Sequence, residues 1–73
     1  MTIKELSTVF HGSVIVERTV HTGKNSIRFD ELYDGKLAKL TDENILSLSI
    51  KVIENIPGST IRNGIPFLRI CVD

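Results

Sequence analysis

Between residues 13 and 33, apolar side chains recur at nearly every second position, the period of a strand with one buried face. Ser13-Val-Ile-Val-Glu-Arg-Thr-Val-His21 and Ser26-Ile-Arg-Phe-Asp-Glu-Leu-Tyr33 form two such runs, with Gly23-Lys24 between them. Glycine at the first central position is what a type II′ turn requires, so a hairpin closing at Gly23 is expected. That turn sets the register, placing Val20 opposite Ile27, Arg18 opposite Phe29, Val16 opposite Glu31 and Val14 opposite Tyr33. One face then carries Val14, Val16, Val20, Ile27, Phe29 and Tyr33. The other carries Glu17, Thr19, His21, Ser26, Arg28 and Asp30.

Thr2-Ile-Lys-Glu5 fits a capping box ahead of Ile3, Leu6 and Phe10 at helical spacing, and Gly12 supplies a stop. A short N-terminal helix follows from these signals; the competing reading is an edge strand over Ser7-Thr8-Val9-Phe10. The stretch 41–56 carries two periods at once. As a strand, Leu46, Leu48, Ile50 and Val52 alternate with Ser47, Ser49 and Lys51; as a helix, Ile45, Leu48, Val52 and Ile56 make one stripe. Thr41 as N-cap, acidic Asp42 and Glu43 in the first turn, a Leu40–Ile45 staple and the stop at Pro57-Gly58 favour the helix. Beyond it, Ser59–Arg62 and Ile65–Val72 flank Asn63-Gly64, a type I′ turn pair. In the last strand Leu68, Ile70 and Val72 point one way, and Phe67, Arg69 and Cys71 the other.

The expected fold is therefore one α+β domain spanning 1–73. Two hairpins form a small antiparallel sheet packed against one main helix, in the order (α)ββαββ. The alternative is a five-stranded all-β barrel in which 45–54 is a strand.

Composition narrows the functional classes. Apolar residues make up 41% of the chain and are almost all aliphatic, enough for a core and too many for intrinsic disorder. Nine Lys and Arg balance nine Asp and Glu, so there is no global basic excess of the kind that phosphate binding calls for. One cysteine, Cys71, excludes an internal disulfide framework and a thiolate zinc site. With no hydrophobic signal region and no apolar run long enough for a membrane span, the expected setting is cytoplasmic.

The catalytic inventory is thin. His11 and His21 lack suitably placed partners, Cys71 reads as a small buried hydrophobe, and Gly23-Lys24 has no upstream glycine at phosphate-loop spacing. Asp30, Glu31 and Asp34 read as a solvated strand end rather than a cation site. No enzyme activity, cofactor or metal is expected. Basic residues do gather on the first hairpin: Arg18, His21, Lys24 and Arg28 are candidate nucleic-acid contacts, with Glu17 and Asp30 opposing their field. Apolar positions in excess of one small core, Ile15, Leu32 and Phe67, are the candidate interaction surface.

The resulting expectation is a non-enzymatic protein-binding or regulatory module, of a size and composition typical of small bacterial or phage accessory proteins. It would contact a protein partner or a second copy, as a homodimer. A nucleic-acid-binding regulator using the hairpin 13–33 is the alternative.

Overall fold

The computed structural model describes residues 1–57 and 66–72. Thr2 caps the first helix, α1 (Ile3–Ser7), through the reciprocal pair foreseen in the sequence: the Glu5 N–H donates to Thr2 Oγ1 at 3.2 Å and the Thr2 N–H donates to Glu5 Oε1 at 2.9 Å. Strands β1 (Ser13–His21) and β2 (Ile27–Lys36) follow as an antiparallel hairpin. A single 3₁₀ turn (Leu37–Lys39) and a one-turn helix, α2 (Glu43–Leu46), lead to β3 (Ile50–Ile56), and β4 (Phe67–Val72) ends the described chain. The sheet order is β2-β1-β4-β3. β4 lies parallel to β1 and antiparallel to β3, so the sheet is mixed and open, with β2 and β3 at its edges.

This overturns the expected fold. Among the described residues no main helix packs on the sheet: the segment expected to be helical over 42–56 divides at Ser47 into one helical turn and a strand. The barrel alternative fails as well, because the described strands number four and do not close. The reason is tertiary. Leu46 is buried in the core and Leu48 packs against it, while Ile50–Ile56 pairs with the non-local strand β4, interrupted only by a bulge at Lys51. Only as a strand can this segment gain the backbone ladder that β4 offers. The cap also moves by one residue, since Asp42, not Thr41, accepts the Asn44 N–H at 2.9 Å. The expected strand 59–62 and the turn at Asn63-Gly64 lie outside the described residues.

The hairpin register is corrected too. Gly23 is not in the positive-φ conformation that a type II′ turn needs. The connection instead spans Thr22 to Ser26, closed by the Thr22 N–H donating to the Ser26 carbonyl at 3.1 Å. The longer loop slides the pairing by one residue, to Val20 with Arg28, Thr19 with Phe29, and Arg18 with Asp30. Because side chains alternate faces, a one-residue slip moves Ile27 and Phe29 away from Val14 and Val16 to the other side of the sheet. A β-bulge at Leu32 then resets the register, bringing Tyr33 opposite Val16 and Gly35 opposite Val14.

The contiguous core cluster lies on one side of the sheet. Ile3 and Leu6 of α1, Leu37 and Leu40 around the 3₁₀ turn, and Leu46 of α2 cover Val14, Val16, Ile70 and Val72 of the two central strands. The N-terminus is tied to the start of β3 by the Ile3 N–H donating to the Leu48 carbonyl and the Ile50 N–H to the Met1 carbonyl, at 3.1 and 2.8 Å. The result is a slab about 36 × 31 Å across and 16 Å through.

Candidate functional site

The helical segments cover one side of the slab, and the opposite side of the sheet is where the unassigned chemistry collects. Alternation along β4, which is free of bulges, places Leu68, Ile70 and Val72 toward the core and Phe67, Arg69 and Cys71 away from it, as the sequence pattern foresaw. Pairing with β4 and β2 puts Ile15, Glu17 and Thr19 of β1, Ile27, Phe29 and Glu31 of β2, and Val52 and Glu54 of β3 on this same side. Ile27 is 58% exposed, Phe29 50% and Val52 46%, more than large apolar side chains keep when a second layer covers them.

Arg69 organises the middle of this face. Its Nη2 lies 3.0 Å from Glu17 Oε2, its Nε donates to the same oxygen at 3.1 Å, and its guanidinium carbon sits 4.9 Å from the centre of the Phe29 ring. Glu54 approaches from β3 at 3.9 Å. One side chain thus links all four strands by charge and by cation–π attraction. The hydrogen bond to Glu17, and then the charge of that carboxylate, hold the Arg69 pKa above its ordinary value. Next along β4, Cys71 Sγ lies 3.7 Å from Thr19 Oγ1 and is half-buried.

The candidate surface Ile15, Leu32 and Phe67 is not assembled as one patch. Ile15 is half-buried on the bare side, whereas Leu32, at the bulge, packs against the core on the other. Phe67 is buried, at the end of the sheet, where it lines a cleft of about 280 Å³ with Phe10, Gly12, Ser13, Asn55, Pro66 and Leu68. The basic group is divided as well. Register places Arg18 and Arg28 on the core side of the hairpin and His21 on the bare side, with Lys24 in the loop. Arg28 is already held by Asp30 through two hydrogen bonds at 2.8 and 3.2 Å. The hydrogen bond and the charge of Asp30 raise the Arg28 pKa.

Sequence reasoning placed Arg69 on the back of the last strand but assigned it no role. The available signal was a lone arginine at a position where its strand faces away from the core; its partners Glu17 and Phe29 come from strands whose register the turn decides. Among the described residues no group of three or more His, Cys, Asp or Glu side chains is placed to hold a metal ion, and no helix is long and apolar enough to cross a membrane. No family model, curated protein or solved structure matches the chain.

Proposed function

We propose that the chain is a non-enzymatic protein-binding module of regulatory type, acting as a homodimer through the bare side of its sheet. The observation that carries this reading is the one-sided cover: a slab only 16 Å thick exposes Ile27, Phe29 and Val52 on the side that, among the described residues, no helix protects. A face within a 36 × 31 Å outline has room for the roughly 800 Å² per partner that stable interfaces bury. A second copy is a fitting occupant because the formal charge is zero, so two copies meet without net repulsion. Arg69, stacked on Phe29 and paired with Glu17, supplies the kind of arginine–aromatic centre in which interface energy concentrates. A cytoplasmic setting accompanies this reading.

Sedimentation equilibrium at micromolar concentration tests it on the wild type and on Ile27→Asp and Phe29→Asp. A dimer that each substitution converts to a folded monomer is the expected result. A monomeric wild type overturns the proposal.

A further inference from the structure

The two edges of the sheet are protected unequally. β2 carries Arg28, Asp30, Glu31, Asp34 and Lys36 and is broken by the bulge at Leu32, devices that discourage a neighbouring strand. β3 has its bulge at Lys51, near its start, and beyond that point runs Val52-Ile53-Glu54-Asn55 with every residue exposed. Ile53 is 43% exposed on the core side and Val52 46% on the bare side. Among the described residues, no strand pairs with the outer edge of 52–56. The entrance to β3 already accepts a neighbour: Thr2 bridges Ser49 in antiparallel fashion, and the Ile50 N–H is taken by the Met1 carbonyl.

From these features we infer that the outer edge of 52–56 binds an extended peptide segment of a partner protein by strand addition. The backbone ladder supplies affinity, and side chains on alternate faces supply selectivity. The ligand chemistry follows from the edge. A residue set beside Ile53 meets apolar surface on the core side. A residue beside Glu54 meets a carboxylate that is 54% exposed and only loosely tied to Arg69, at 3.9 Å. The segment that fits alternates apolar with basic residues, the basic ones on the bare side. A second copy fits less well. In a two-fold antiparallel pair centred on Ile53, Glu54 falls directly opposite the uncharged Val52.

The test uses the full chain carrying Phe29→Asp, so that loss of the bare-face dimer and loss of edge binding are read separately. The probe is a capped peptide of alternating valine and lysine, compared with one of alternating valine and glutamate and with a backbone N-methylated valine–lysine peptide. Amide chemical-shift changes confined to 52–56 and the adjacent β4 are expected, with about tenfold weaker binding of the glutamate peptide and none of the N-methylated one. Glu54→Gln should remove the preference and Glu54→Lys should invert it. Equal binding of both charged peptides, shifts centred on Ile27, no binding at millimolar peptide, or a dimer formed by β3 against β3 would each overturn the inference.

Discussion

The guanidinium of Arg69 stacks 4.9 Å from the Phe29 ring centre while holding Glu17 at 3.0 Å, so an ion pair and an aromatic contact share one cation on an uncovered face. The Glu17 side chain is only 16% exposed, which leaves it poorly solvated if the arginine is lost. Arg69→Ala should therefore cost about 1–2 kcal/mol. A double-mutant cycle with Glu17→Gln, read by urea unfolding, should recover a coupling of about 1 kcal/mol. Additivity of the two substitutions would show that the pair is idle.

Two glycines of the first hairpin should respond in opposite ways. The Tyr33 hydroxyl donates to the Lys36 carbonyl at 2.7 Å, carrying the ring across Gly35. A Cβ on Gly35, at φ 158°, would stand 3.1 Å from Tyr33 Oη, whereas a Cβ on Gly23 meets nothing closer than 3.8 Å. Gly35→Ala should lower stability by about 1 kcal/mol or more, and Gly23→Ala should be neutral or slightly stabilising. Thermal unfolding of the two variants decides this.

Removing the α2 cap should discriminate between neighbouring residues. Asp42→Ala should cost about 0.5–1 kcal/mol by freeing the Asn44 N–H, while Thr41→Ala should leave the unfolding midpoint unchanged. The reverse order would restore Thr41 as the cap.

Acid should loosen the N-terminal cover. Hydrogen bonds from the Thr2 backbone and then its side chain hold the Glu5 pKa below the ordinary glutamate value. A carboxylate depressed in the folded state contributes stability that is full above its unfolded pKa and is lost as pH falls through its folded value. The wild type should therefore lose stability across the acid side of the glutamate range, and Glu5→Gln should show a flatter profile there. Urea midpoints measured against pH compare the two.

Local chemistry was legible in the sequence where its partners are close in the chain. The capping box needs only Thr2 and Glu5, three residues apart, and it forms as read. The alternation of β4 was equally legible, because a strand without a bulge has one period. The first hairpin was legible as two strands but not in register. Gly23-Lys24 fits a two-residue turn on local grounds, and the five-residue connection that forms instead sends Phe29 to the face of Arg69.

The segment 41–56 shows most clearly what tertiary structure decided. Its apolar residues satisfy both periods, and its capping signals describe a helix start that does exist, for one turn, from Glu43 to Leu46. Whether that turn continues depends on β4, more than ten residues further along, which offers Ile50–Ile56 a backbone ladder that no local signal encodes. The bare face arises in the same way. Composition alone gives the chain more aliphatic side chains than one small core absorbs; the register slip and the shortened helix fix which of them face solvent, because each relocates a whole face of side chains at once.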